Sequence, residues 1–119
     1  IEINPQYADA YYNRGNAKRK SGDYQGAIAD YTKAIHINPQ YADAYTNRGN
    51  AKYDLGDYQG AIADYTKVIA FDPQLGAAYT NRGVARGISG DQQGSCLDFR
   101  KGSLLGDKNG TKALKLFCK

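Results

Sequence analysis

The 119-residue sequence has no methionine and no tryptophan, one histidine, two cysteines and three prolines. Each scarcity excludes something. His36 is alone, and it falls in the last turn of a helical pattern, where an imidazole suits the helix dipole. Ala70 stands in its place 34 residues later. No Ser/His/Asp set can be assembled around it. Cys96 and Cys118 lack metal-ligand spacing, and two cysteines establish no redox compartment. Glycine-rich Gly83-Val84-Ala85-Arg86-Gly87 lies on a helical pattern and lacks the Lys-Ser/Thr of a phosphate loop. No apolar run approaches the roughly 18–20 residues of a membrane span. The sequence therefore predicts no enzyme, no catalytic residue, no metal, no cofactor and no membrane contact.

Neither sign of charge dominates, with 16 basic and 12 acidic side chains. The basic excess sits at the C-terminal end, in Arg100, Lys101, Lys108, Lys112, Lys115 and Lys119. A nucleic-acid groove wants a basic stripe along the molecule with aromatics between. A terminal cluster reads instead as a solvated helix, so no nucleic-acid partner is expected.

What the chain has is a period. Asn-Pro-Gln-Tyr-Ala-Asp-Ala-Tyr occurs at Asn4–Tyr11 and again at Asn38–Tyr45. Residues 4–37 and 38–71 match at 27 of 34 positions, and a weaker copy fills residues 72–105. A period of this length signals stacked supersecondary units. Ile1-Glu2-Ile3 parallels Ile35-His36-Ile37, so residues 1–3 read as the last turn of a preceding repeat. That implies a piece of a longer array. Beyond Leu105 the period is lost. Thr111–Cys118 then fits a short amphipathic helix that covers the last repeat.

Within a copy the apolar residues follow helical spacing: Tyr7, Ala10 and Tyr11, then Tyr24, Ala27, Ile28, Tyr31, Ala34 and Ile35. Gly22-Asp23, repeated as Gly56-Asp57 and Gly90-Asp91, stops one helix and caps the next. Pro5, Pro39 and Pro73 mark the junctions between copies. Gly15, Gly49 and Gly83 sit mid-helix, where each costs about 1 kcal/mol against alanine. Their recurrence implies close backbone approach, and Ala27, Ala61 and Ser95 are the expected partners.

Tyr11, Gly15, Ala27, Tyr31, Ala34 and Pro39 stand where a tetratricopeptide repeat has its signature residues. The second copy gives Tyr45, Gly49, Ala61, Tyr65, Val68 and Pro73. The third gives Tyr79, Gly83, Ser95, Phe99, Gly102 and Asp107 and is degenerate. The chain resembles that family over residues 1–105. The resemblance implies an all-α, right-handed superhelix of three helix-turn-helix repeats plus a C-terminal capping helix. The expected boundaries are 4–37, 38–71, 72–105 and 106–119.

Two departures from the family pattern recur. Arg14, Arg48 and Arg82 replace its usual leucine, and Lys18, Lys52 and Arg86 its usual aromatic. Asp30, Asp64 and Asp98 recur in step, so three Arg–Asp ion pairs are expected. Cys96 stands where Ile28 and Ile62 stand and reads as a small buried apolar residue. A disulfide to Cys118 joining the last two helices stays open as the alternative.

In a superhelix of this kind the first helix of each repeat lines the concave face. Asn13, Asn47 and Asn81 recur there, followed by Asn16 and Asn50. Asparagine is a poor helix former, so propensity does not explain the row. A carboxamide carries donor and acceptor and can pair with the backbone of an extended peptide. The other reading of the row is helix-to-helix bonding copied by duplication. Tyr12, Thr46 and Thr80 vary between copies on this face, and Tyr53, Val84 and Ile88 are expected to form one apolar pocket flanked by Lys20 and Asp54. The family's second mode grips a terminal carboxylate with cations. Only Asn16 and Asn47 match that clamp, while Tyr12, Ala77 and Asn81 occupy its cation positions. The expected function is a protein-interaction scaffold that binds an extended peptide in the groove. The alternative is a structural array that self-associates through exposed repeat ends.

Overall fold

A computed structural model describes residues 5–118 of the chain. The expected remnant at residues 1–3 lies outside the described residues. Among these there are seven helices and no strand: α1 (Pro5–Lys20), α2 (Tyr24–Ile37), α3 (Ala42–Asp54), α4 (Tyr58–Phe71), α5 (Gly76–Ile88), α6 (Gln92–Leu104) and α7 (Lys108–Phe117). Each helix packs on its neighbours in sequence, and α1 also meets α3 and α5 meets α7. The first helices of the pairs thus share one layer, with α2, α4 and α6 behind it.

Two kinds of turn alternate. Within a pair, a glycine in the left-handed region reverses the chain, as at Gly22 with φ 90°. The next amide, on Asp23, then closes back on the Lys18 carbonyl at 2.8 Å. The Asp23 carboxylate accepts from the Gly26 amide at 3.0 Å and caps α2. Between pairs, Asn38 and Asp72 instead accept from the amides of Gln40 and Gln74, at 3.2 and 3.1 Å.

The turn into α7 is of the first kind. Gly106 has φ 92°, and the Asp107 carboxylate caps Gly110 at 3.1 Å. Helix α7 is therefore joined to α6 by the turn that elsewhere joins the two helices of one repeat. That is why the third copy needs no proline after α6.

The core consists of small residues around aromatic rings. Ala27, Tyr31 and Ala51 form one fully buried cluster, and Ala61, Tyr65 and Ala85 the next. Alanine at these points lets helix axes approach, while each tyrosine fills the space between three helices. The mid-helix glycines belong to the same packing, but their partners differ from the expected Ala27, Ala61 and Ser95. A Cβ on Gly15 or Gly49 would lie 2.8 Å from the ring of Tyr31 or Tyr65, and one on Gly83 2.8 Å from the ring of Phe99. The aromatic ring of the second helix lies across each glycine, which places the small partner one turn away.

Candidate functional site

The layer formed by α1, α3 and α5 carries the expected asparagines, and they do not stand alike. Asn13 is exposed and Asn81 half-buried; neither side chain makes a hydrogen bond among the described residues. Asn47 ties α3 to α1, the first helix of the preceding pair. Its amide donates to the Tyr12 hydroxyl at 3.0 Å and to the Asn16 oxygen at 2.9 Å. Asn16 and Asn50 accept from the buried hydroxyls of Tyr31 and Tyr65, each at 2.5 Å. Asn50 also donates to Asn47 at 3.4 Å. The central asparagines thus form an internal chain that fixes neighbouring helices. A tyrosine hydroxyl occupies each oxygen, which leaves the Asn16 amide nitrogen without a hydrogen bond among the described residues while that of Asn50 goes to Asn47.

Burial perturbs the tyrosines in this chain. It pushes the Tyr31 hydroxyl up to about 12, and Tyr65 also rises for the same reason. Tyr41 rises too, by burial and by its 2.6 Å bond to Asp9. All three stay neutral donors at ordinary pH.

In the third pair this chain is broken on both sides at once. Val84 replaces the asparagine and Phe99 the tyrosine. The result is an apolar cavity of about 330 Å³, lined by Val84, Gly87, Ile88, Ser95, Phe99, Phe117 and Gln92. Val84 and Ile88 meet there as expected, but Tyr53 does not join them. Its ring lies edge-on to Tyr58, with centroids 5.4 Å apart, and packs on the Ala61–Tyr65–Ala85 cluster. Lys20 and Asp54 do not flank this cavity either. They line a separate polar hollow with Asn16, Arg19, Tyr24, Tyr31 and Asn47, where Arg19 bonds Asp54 at 3.1 Å.

Thr80 corrects a further expectation. It is 4% exposed, donates to the Gly76 carbonyl, and lies beneath α7 against Gly102 and Gly110. The capping helix occupies the place where a ligand would reach it. Tyr12 and Thr46, at the same position in earlier copies, are half-buried. Tyr12 stacks near Tyr41, with centroids 5.0 Å apart.

The three Arg–Asp pairs form behind this layer. Arg14 grips Asp30 through two nitrogens at 2.8 and 2.7 Å, Arg48 grips Asp64 at 2.9 and 2.8 Å, and Arg82 grips Asp98 at 2.9 and 2.8 Å. A second cation joins each carboxylate: Lys18, Lys52 and Arg86, at 3.1, 3.2 and 2.9 Å. These cations replace the family's usual aromatic, and their recurrence in step with the same aspartates is the sequence signal for the pairing. Arg48 and Arg82 also donate to Thr32 and Thr66 of the preceding pair, at 3.2 and 3.3 Å. The bonded guanidinium of Arg14 holds the Asp30 carboxyl below its ordinary range, and Lys18 adds to it, against the opposing effect of burial.

The reading of Cys96 as a buried hydrophobe is overturned. Cys96 is half-buried and bonded to Cys118, so the alternative left open is the one found. The isoleucine position points toward α7, whose C-terminal end supplies the second sulfur.

Two family models match the sequence, a TPR repeat over residues 15–56 and a tetratricopeptide repeat over residues 42–75. Among curated proteins there is no match. The structure is similar to that of the second TPR domain of human RPAP3 in complex with the HSP70 peptide SGPTIEEVD. The two share 31% identity over 98% of this chain and 99% of that one, with a TM-score of 0.90. It is also similar to the Arabidopsis OM64 TPR domain, at 31% identity over 93% of each chain and a TM-score of 0.88. A third similar structure is the first TPR of Spaghetti (RPAP3) bound to the HSP90 peptide SRMEEVD, at 27% identity over 97% of this chain and 93% of that one, TM-score 0.88.

Proposed function

This chain belongs to the tetratricopeptide repeat family, and from that premise we propose that it binds an extended peptide segment along the layer of α1, α3 and α5. The observation that carries this reading is the orientation of the Asn16 carboxamide. The Tyr31 hydroxyl holds the Asn16 oxygen inward at 2.5 Å and leaves its amide nitrogen without a hydrogen bond among the described residues, whereas the Asn50 nitrogen is already bonded to Asn47. A donor held in place before the ligand arrives loses little rotamer freedom on binding. Asn13 and Asn81 add carboxamides whose donors and acceptors are not engaged among the described residues. These groups suit the N–H and C=O of a peptide backbone and do not select its side chains.

Selection falls to the cavity at Val84, Ile88, Phe99 and Phe117. Its volume of about 330 Å³ suits one apolar side chain as an anchor. Tyr53 and Thr80 are not part of this site. The ligand also differs from the peptides SRMEEVD and SGPTIEEVD held by the solved relatives. The positions that would present cations to a terminal carboxylate carry Tyr12, Ala77 and Asn81. The two matching asparagines, Asn16 and Asn47, are bonded to each other.

A peptide array probed with the native chain and with Asn81→Ala and Val84→Asp tests the reading, with light scattering in parallel. Peptides captured by the native chain should bind both variants about tenfold more weakly, while mass stays unchanged. Equal capture by all three proteins sinks the groove reading. The second reading, self-association, draws on Leu104 and Leu116, which are 78% and 68% exposed at the end of the stack. Concentration-dependent mass that Leu104→Glu abolishes would favour it.

A further inference from the structure

Helix α7 is attached by two unequal halves. Its N-terminal half is seated by packing and hydrogen bonds. Asp107 caps Gly110, the Ser103 and Thr111 hydroxyls bond at 2.7 Å, and Gly110 is buried so tightly that a Cβ there would lie 2.8 Å from the Thr80 hydroxyl. The C-terminal half has much less. Leu116 and Phe117 are 68% and 61% exposed. Among the described residues this half reaches α6 through the Cys96–Cys118 bond, a 3.2 Å bond from Gln92 to the Phe117 carbonyl, and the Phe117 ring 6.4 Å from that of Phe99. A ten-residue helix is too short to persist without such anchoring. Phe117 is also the one wall of the apolar cavity that α7 contributes.

We propose that the Cys96–Cys118 bond is a redox-sensitive staple that sets whether the apolar cavity accepts a peptide side chain. This rests on the groove reading above and adds its regulation. In the oxidised chain Phe117 is fixed against Phe99 and the cavity is complete. In the reduced chain the last turn of α7 detaches and the cavity opens on one side to water.

The bond is reachable. Both cysteines are half-buried, and Cys96 lines a surface depression with Gln92, Gln93, Leu97 and Arg100. The Gln92 amide also lies 3.7 Å from the Cys96 sulfur. Arg100 in the same depression and the Gln92 amide favour a thiolate at Cys96 as leaving group. The thiolate of a dithiol reductant therefore attacks the Cys118 sulfur. One mixed disulfide forms, the Cys96–Cys118 bond breaks, and Cys96 departs with the electron pair. The second thiolate of the reductant then closes on its own mixed-disulfide sulfur and expels Cys118. Two electrons have passed to the protein, the reductant leaves as a cyclic disulfide, and its two protons end on Cys96 and Cys118.

The test uses the full chain with labelled valine and isoleucine methyls, and N-acetyl-leucine N-methylamide as the probe. Oxidised protein should show saturable shifts at Val84 and Ile88. Dithiothreitol should weaken that binding by about fivefold or more, and reoxidation should restore it. Phe117→Ala in the oxidised state should show the same weakening. Cys96→Ser/Cys118→Ser should behave as the reduced chain under all conditions. Amide exchange at residues 114–117 should quicken about tenfold on reduction. Equal probe binding in both redox states overturns the staple and leaves the cavity standing. If the probe shifts neither form, the cavity reading fails and exchange decides the staple. Unchanged exchange at residues 114–117 overturns it, and quickened exchange sustains its hold on α7.

Discussion

The Tyr31 hydroxyl donates to the Asn16 carboxamide oxygen at 2.5 Å, joining α2 to α1. Tyr65 and Asn50 repeat the bond at 2.5 Å, and in the third pair Phe99 faces Val84 across an apolar cavity. Hydroxyl and carboxamide are kept together or lost together. The reason is that either one alone would be left in a seam with little water. Tyr65→Phe should accordingly cost about 1–3 kcal/mol, and Asn50→Val a similar amount. The double substitution should cost clearly less than the sum. Urea unfolding of the four proteins measures the coupling. Additive losses would mean that the bond contributes nothing.

The Asp64 carboxylate is 4% exposed, between Arg48 at 17% and Lys52 at 21%. Asp64→Ala leaves two half-buried cations facing each other, so stability should fall by about 1–3 kcal/mol. Asp30→Ala should cost less, because Arg14 is 54% exposed and water can replace the carboxylate. Asp30 also gives a pH signature. Its folded pKa lies below the ordinary 3.8, so its contribution is present above that value. It is lost as pH falls through the folded pKa. Asp30→Asn should flatten the acid limb of Tm against pH, and an unaltered limb would place the pair outside the folding balance.

Tyr31 makes the opposite prediction at high pH. Its hydroxyl is raised from 10.0 to about 12 by burial. The unfolded chain sheds this proton first. The contribution is therefore full below pH 10 and declines as pH rises toward 12. Tyr31→Phe should remove that part of the alkaline decline in Tm. An identical alkaline limb in the variant would show that the hydroxyl is not held in its neutral form.

Much of this architecture was legible because its causes are local and repeated. Gly22-Asp23 dictates a helix stop and a cap within two residues, and three further copies do the same. The Arg–Asp pairs were legible from charges recurring in step. What was not legible depends on how helices cross. The ring over Gly49 belongs to Tyr65 rather than a site at Ala61, which follows from side-chain direction on α4. Tyr53 shares a face with Val84 by sequence spacing, yet its ring turns into its own pair against Tyr58. Thr80 and Cys96 depart from expectation for one reason. The turn Leu105-Gly106-Asp107 folds α7 back over α5 and α6, and only that placement buries Thr80 and brings Cys118 to Cys96.

The clamp positions yield a gain-of-function prediction. The native chain presents Tyr12, Ala77 and Asn81 where a carboxylate would need cations. It should bind a labelled SRMEEVD peptide weakly or not at all. Tyr12→Lys with Ala77→Lys and Asn81→Arg should tighten that binding by about tenfold or more, with strong salt dependence. Fluorescence polarisation at two ionic strengths measures both. Tight binding by the native chain would show that the peptide is read through other residues.

The mid-helix glycines supply a final test of the packing. A Cβ at Gly49 would lie 2.8 Å from the Tyr65 ring and 3.3 Å from the Asp64 Cβ. Helix propensity alone favours alanine there by about 1 kcal/mol. The ring cannot retreat without breaking its bond to Asn50, so overpacking should outweigh propensity. Gly49→Ala is expected to destabilise by about 1–3 kcal/mol. Tyr65→Ala/Gly49→Ala should show strong coupling, because removal of the ring frees the space for the methyl group. Denaturant unfolding of the single and double variants decides it. A stabilising Gly49→Ala would mean that α3 and α4 stand farther apart than this packing requires.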